Sequence, residues 1–380
     1  MPPFAPRATF PTLPSLPRSY FLGHHKSGLS KMQSLLSSID LVLECRDYRI
    51  PLTSRNPLFE KALEGKDRLV VYTKRDLGVS GRHGKEIEDR VRSWDELDGK
   101  GRVGVCFTKG VGGGDEEGRG GSTGKQGKKS VKELLETLKQ HAEKKWKLVG
   151  HRVMVVGMPN VGKSTLLNAL RAQGMGKGKV AGTGAQPGVT RKVSTGVKIV
   201  PGEDDFEDPT EEKARDVGGA LTKGVGGGVY LLDTPGVFIP YVPSSHAMLK
   251  LALVGSVKDT IIPPVLLADY LLYHINLHDP ELYREFSFPT NDIMELLENV
   301  ARSLGRLGKG GAPDSEAAAL WLVQRWRRGD LGRFLLDEVD EGAWERVKRE
   351  EEGREPSWNQ ARKMERERRR ERGRAKAGLV

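Results

Sequence analysis

Apolar residues along this chain fall into two alternating patterns. Four runs are nearly uninterrupted and end in polar turns: "IDLVLECRD" from Ile39, "LVVY" from Leu69 to Tyr72, "GRVGVCFTKG" from Gly101 and "HRVMVVG" from His151. A fifth, "GGVYLLDTPG", starts at Gly227. Runs this short and this apolar predict strands buried on both faces. Between them the spacing turns helical. Leu29, Met32, Leu35, Leu36 and Ile39 share one face. So do Val131, Leu134, Leu135 and Leu138, in a helix that Ser130 can cap. "STLLNALR" continues the fourth run as a helix. Strands alternating with amphipathic helices predict an α/β fold, a mostly parallel sheet with helices on both faces.

Beyond about residue 255 only the helical period remains. Asn291 can cap a helix whose stripe is Ile293, Leu296, Leu297, Val300 and Leu304. "DSEAAALWLVQRWRRGDLGRFLLDE" predicts another helix and a short one after it. Two stretches read as flexible inserts, 110–130, which lacks any apolar face, and 193–228, which is long and rich in Gly and acidic residues. The expected organisation is a leader over 1–19, a sheet domain over 20–255, a small all-helical domain over 256–343 and a charged basic tail over 344–380.

Charge and composition narrow the classes. A formal net charge of +11 over 380 residues favours a polyanionic partner such as RNA or an acidic membrane surface. A merely basic globular protein is the plainer alternative. The two cysteines, Cys45 and Cys106, form neither a disulfide framework nor a zinc motif, which suits a reducing compartment. No apolar run approaches the roughly 20 residues of a transmembrane helix. The first acidic residue is Asp40, and Arg7, Arg18, Lys26 and Lys31 precede it. That bias suits an organelle transit peptide or a disordered leader. Six prolines before residue 18 oppose a long helix there.

The chemistry begins at "GMPNVGKS", Gly157 to Ser164, which fits Gly-x-x-x-x-Gly-Lys-Ser between a strand and a helix. Its backbone N–H groups, from Asn160 and Val161 through Gly162 to Thr165, can wrap phosphates. Lys163 reaches the outer phosphates and the Ser164 hydroxyl can bind Mg²⁺. Asp233 in "DTPG" suits the hydration shell of that ion, and the Gly236 N–H suits a γ-phosphate. A switch threonine is needed between them. Thr190 in "PGVT" is the best placed, Thr183 the second, and an ordinary loop threonine the alternative. Many GTPases place a water-orienting Gln after Asp-x-x-Gly, but here Val237 stands there. Asn160 could help hold a potassium ion beside the phosphates, or merely stabilise its own turn.

Specificity for the base points to "TKRD", Thr73 to Asp76, at the end of the second run. An Asp there accepts two hydrogen bonds from guanine that adenine cannot give. The Lys74 stem can cover the ring, and Thr73 stands where Asn is usual. "CFTKG" would then bring Lys109, or a neighbouring N–H, to the base. The order is base reader, phosphate loop, switch threonine, Asp-x-x-Gly, which is a circular permutation of the usual one. Two other classes stay open: a nucleotide-gated RNA-binding scaffold with little turnover, and an ATP-using enzyme in which "TKRD" is coincidence.

The sequence resembles the YlqF/RbgA family of circularly permuted GTPases, and its mitochondrial branch. The resemblance spans about residues 20 to 340 and rests on "GHHKSGLSKM", "IDLVLECRDYRIPLTSRNP", "TKRDL", "GMPNVGKSTLLN", "QPGVTR" and "DTPGV" in that order. It implies a permuted P-loop GTPase domain followed by a helical domain. The implied activity is hydrolysis of GTP to GDP, slow alone and faster on a ribosomal particle. The implied setting is the mitochondrial matrix, with or without a peripheral contact to the inner membrane. The implied partners are the large ribosomal subunit precursor and its rRNA, and the implied role is assembly of that subunit for mitochondrial translation. It also implies that His24 in "LGHHK" replaces the missing Gln, although a packing role for this histidine is equally open and His25 stands where the family has Met. Thr73 and the two inserts depart from the family pattern.

Overall fold

The computed structural model describes residues 4–11, 13, 16, 23–97, 102–110, 123–178, 180, 196–203, 205, 224–239 and 242–352. The apolar runs become a six-stranded sheet. Its strands are β1 (Leu41–Asp47), β2 (Arg68–Thr73), β3 (Arg102–Phe107), β4 (His151–Gly157), β5 (Val197–Val200) and β6 (Val229–Asp233). They lie in the order β3-β2-β1-β4-β6-β5. All pairs are parallel except β5 with β6. The segment 193–228, expected as a loop, therefore contains an antiparallel edge strand in which Ile199 and Val200 are buried.

Side chains alternate between the two faces of the sheet, as the two-residue period requires. Leu41, Leu43, Val153 and Val155 face the larger core, and Val42, Met154 and Val156 face a smaller one. The larger core is covered by α4 (Thr123–Lys144) and α5 (Lys163–Met175) through Leu134, Leu135, Leu167 and Leu170. The smaller is covered by α1 (Gly23–Leu35), through Met32, and by α2 (Pro57–Ala62), through Phe59. Helix α3 (Gly81–Leu97) packs beside β3.

The larger core continues without a break into four more helices: α6 (Ser245–Leu253), α7 (Pro264–His278), α8 (Ile293–Ser303) and α9 (Ser315–Arg327). They belong to the same compact unit as the sheet, which runs to Glu338. A second unit holds α10 (Ala343–Glu352), where Arg346 pairs with Asp340 at 2.6 Å.

Three local expectations are corrected. Helix α4 begins at Thr123, so Ser130 lies inside it, and its hydroxyl instead accepts from the Lys109 N–H at 3.1 Å. The cap of α8 is Asp292, whose carboxylate accepts from the Met294 N–H at 2.8 Å, and Asn291 stands one residue outside. No helix follows α9 before Glu338, because Gly329 and Gly332 both hold positive φ there.

Sheet order fixes where the chemistry sits. From β1 the chain winds outward through β2 and β3, and from β4 it winds outward the other way through β6. Such a switch point opens a crevice at the carboxyl ends of the central strands. Register brings Asp47 level with Thr73, Cys45 level with Gly157, and Val155 level with Asp233.

Candidate nucleotide-binding site

The phosphate loop leaves β4 at Gly157. A Cβ there would come within 2.5 Å of the Cys45 carbonyl oxygen, so only glycine lets the loop start this close to β1. Gly162, at φ 91°, turns the chain into α5. The Lys163 ammonium donates to the carbonyls of Gly157 at 3.3 Å and Met158 at 2.8 Å, curling over the loop it serves. Burial pulls its pKa below the usual lysine value, while the Asp233 charge works the other way. Thr165 is exposed in the first turn of α5.

Ser164 and Asp233 meet across the β4–β6 pair. The Ser164 hydroxyl donates to Asp233 Oδ2 at 2.6 Å. Burial pushes the Asp233 carboxyl above its ordinary pKa, with Ser164 and Lys163 opposing the shift. A hydroxyl and a buried carboxylate are the hard oxygen donors that suit Mg²⁺, which takes few protein ligands and completes its shell with phosphate and water. Among the described residues no three His, Cys, Asp or Glu side chains could hold a metal by themselves. Thr190, Thr183 and the rest of 181–195 lie outside the described residues.

The Asp-x-x-Gly segment is laid against the phosphate loop. A Cβ on Gly236 would fall 2.6 Å from the Pro159 Cα. Thr234 Oγ1 donates to the Val155 carbonyl at 2.6 Å, and the Val237 N–H donates to the Gly157 carbonyl at 3.2 Å. The Val237 side chain points into the smaller core with Met32 and Phe59, fully buried. Its carbonyl accepts from Asn56 Nδ2 at 3.0 Å. His24 lies in α1, but its side chain is outside the described residues. Its neighbour His25 is buried, 6.5 Å from the Phe238 ring.

On the base side, "TKRD" is bonded to the phosphate loop residue by residue. The Thr73 hydroxyl donates to the Val161 carbonyl. Lys74, at φ 57°, sends its ammonium to the Asn160 carbonyl at 2.7 Å and to Asp47 Oδ2 at 3.0 Å. Burial lowers the Lys74 pKa, with Asp47 opposing the shift. Burial alone would raise the Asp47 carboxyl, but Arg49 and Lys74 outweigh it and hold the group well below the usual range. Asp76 accepts a hydrogen bond from the Gly110 N–H, so the turn after β2 and the turn after β3 share one carboxylate. Lys109 points along α4 to the Gln126 side chain.

The structure also brings in residues that the motifs did not include. Asn160, at φ 57°, donates through Nδ2 to the Gly255 carbonyl at 2.8 Å, and Ser256 Oγ donates to the Pro159 carbonyl at 3.0 Å. The turn after α6 therefore buttresses the phosphate loop. Arg327 of α9 caps that helix end, donating to the carbonyls of Ala252 and Leu253, both at 2.8 Å, and pairing with Asp259 at 2.7 Å. Arg49 pairs with Asp47 at 2.8 Å and lies 4.8 Å over the Trp326 ring. The stretch "RDYRIPLTSRNP" carried a signal for some of this, in its dense mix of charges next to a buried strand. Gly255 and Arg327 carried none.

Comparison with known proteins agrees with this geometry. Residues 152–297 match the family described as 50S ribosome-binding GTPase. The chain is 35% identical over 348 residues to mitochondrial GTPase 1 of Schizosaccharomyces pombe, covering 89% of this chain and 94% of that protein. It is 33% identical over 337 residues to mitochondrial ribosome-associated GTPase 1 of Bos taurus, covering 84% and 89%. GNP-bound YlqF from T. maritima superposes with a TM-score of 0.48 at 20% identity, over 82% of this chain and 97% of that one. At 33–35% identity across most of both chains, this protein is a GTPase of the mitochondrial GTPase 1 family.

Proposed function

We propose that this GTPase acts in assembly of the mitochondrial large ribosomal subunit, and so in mitochondrial translation. It would work in the matrix on the subunit precursor and its rRNA, with a peripheral contact to the inner membrane. Among the described residues no helix is long and apolar enough to cross a membrane. The reading draws on relatives whose names place them in mitochondria and on ribosomes. A net charge of +11 supports it, because rRNA phosphates attract such a surface. The observation that carries guanine specificity is the tie of Thr73 and Lys74 to Val161 and Asn160, with Asp76 two residues further on. Mg²⁺, when bound, supplies charge neutralisation at the outer phosphates, and Ser164, Asp233 and Thr190 are its proposed protein partners. His24 is proposed to orient water. Potassium is proposed at Asn160, and hydrolysis in KCl against NaCl tests it.

The first test compares GDP with ADP for the native chain and Asp76→Asn. Guanine-only binding that Asp76→Asn abolishes is expected; equal ADP binding would sink the base-reader assignment. The second measures GTP turnover with and without mitochondrial large-subunit particles, and no stimulation would remove the ribosomal coupling.

One observation favours a second reading, a nucleotide-gated scaffold with little turnover. Val237, in the position of the usual Gln, is a core residue that cannot orient water. Single-turnover hydrolysis on the ribosomal particle separates the two.

A further inference from the structure

Away from the nucleotide site, the most fully built recognition contact is one that the chain makes with its own N-terminus. Arg7 sets its guanidinium on the Asp269 carboxylate of α7 through two bonds, at 2.6 and 3.2 Å, and donates a third to the Asp269 carbonyl at 3.2 Å. Three residues on, Phe10 is 4% exposed. Its ring lies 5.0 Å from Tyr270, 5.7 Å from Tyr273 and 6.2 Å from His246 of α6. The Arg7 guanidinium also covers the Phe10 ring at 5.4 Å. The groove also reads the backbone on both sides of Arg7: Asn291 Nδ2 donates to the Ala5 carbonyl at 2.9 Å, and Tyr273 Oη to the Ala8 carbonyl at 3.5 Å.

Residues 4–11 have no helix or strand of their own. What fixes them is the groove. Its chemistry is selective: a carboxylate that takes a planar guanidinium by a two-pronged contact, an aromatic cage of two tyrosines and a histidine, and side-chain donors for a carbonyl on either side of the arginine. Pro6 and Pro11 restrict the segment and reduce the entropy lost on docking. We propose that the groove formed by α6, α7 and the turn before α8 is a peptide-recognition site for an extended Arg-x-x-Phe segment, occupied here in cis by Arg7 to Phe10. Tethering gives the cis segment a high effective concentration, so a segment in trans enters only when the cis one is displaced. Any factor that reads Arg7 in the leader must then compete with Asp269 once the chain has folded.

The test uses the full chain. Arg7→Ala with Phe10→Ala vacates the groove and leaves its walls untouched. A fluorescent peptide of residues 4–16 is expected to bind this double variant and to bind the native chain at least about tenfold more weakly, because the cis segment competes. Adding Asp269→Ala to the vacated chain should abolish binding. No binding to the vacated chain, or binding indifferent to Asp269, overturns the proposal. The cis contact is read separately by trypsin release of residues 1–7. That release should quicken about tenfold in Asp269→Ala and in Phe10→Ala, as cleavage follows the undocked population. An unchanged rate in Phe10→Ala, which alters no residue of the groove, overturns it as well. Neither readout depends on nucleotide specificity or on the ribosomal role.

Discussion

Thr73 replaces a two-ended amide with a single hydroxyl, and the structure shows what that hydroxyl does. It joins the end of β2 to the Val161 carbonyl of the phosphate loop, so the base side and the phosphate side hold one spacing. The carbonyl is buried, and losing its donor leaves it unsatisfied at a cost of about 1–2 kcal/mol. Thr73→Val, close in shape, should therefore weaken GDP binding by roughly tenfold in calorimetry, while Thr73→Ser keeps the bond and most of the affinity. Equal loss in both variants would mean that the methyl, not the hydroxyl, matters. A second residue responds to pH. Burial alone would raise the Glu60 carboxyl, but Arg55 and Arg46 prevail and bring it from 4.5 to about 2. A carboxyl depressed on folding contributes stability that is complete above 4.5 and is lost as pH falls from there to about 2. Glu60→Gln should cost about 3 kcal/mol at pH 7 by this linkage. The gap from the native chain should narrow between pH 4.5 and 2 in denaturant titrations. A gap that stays constant over that range would show that Glu60 acts by packing alone.

Among the elements, α1 presses on the Asp-x-x-Gly segment beside α2. Gly28 faces Pro235 and Val237, and a Cβ there would sit 3.7 Å from each, an ordinary contact. Gly28→Ala should therefore raise stability by about 0.5–1 kcal/mol, through helix propensity alone. Gly28→Phe has no room, should lift α1 from the segment, and should cost about 1–3 kcal/mol; thermal melts of the two variants, moving in opposite directions, check both. Much of this architecture was legible in the sequence. Strands β1, β2 and β4 are apolar and buried on both faces; β3 and β6 were legible as strands, but β3 is an edge strand with Val103 exposed and β6 is only half-buried on one face. Helices α4 and α8 carry their stripes, except that Leu304 lies past the end of α8 and is exposed. The edge strand β5 was not legible. It has four residues in a Gly- and acid-rich stretch, and its partner β6 begins almost thirty residues later, so no local period marks it. The start of α4 was hidden for a similar reason: Thr123 to Lys129 is Gly- and Lys-rich, with nothing apolar to set a phase. The motifs located the phosphate loop and the Ser164–Asp233 corner because each motif is contiguous. They could not locate Gly255 or Arg327, whose roles exist only through contacts far apart in the chain.

Across the whole molecule those distant contacts close a ring. Asn160 of the phosphate loop donates to Gly255, and the helix end before Gly255 is capped by Arg327. Arg327 follows Trp326 in α9, Trp326 lies under Arg49, Arg49 pairs with Asp47, Asp47 pairs with Lys74, and Lys74 returns to the Asn160 carbonyl. The phosphate loop is thus held from two sides by one helix of the C-terminal region. A nucleotide that shifts the loop must strain or relax α9, and by reciprocity the state of α9 must alter nucleotide affinity. Arg327→Met keeps the aliphatic stem and removes the charged bonds to two helix-end carbonyls and Asp259, at a cost of about 2–3 kcal/mol. In the native chain, hydrogen exchange in α9 should differ between GDP and a non-hydrolysable GTP analogue. In Arg327→Met that difference should vanish from α9 and persist in α5, which touches the nucleotide loop directly. If α9 is blind to nucleotide in the native chain, the ring is only a brace. If it responds in both, the coupling runs by another route, through Arg49 and Trp326 alone, and a substitution at Trp326 becomes the deciding one.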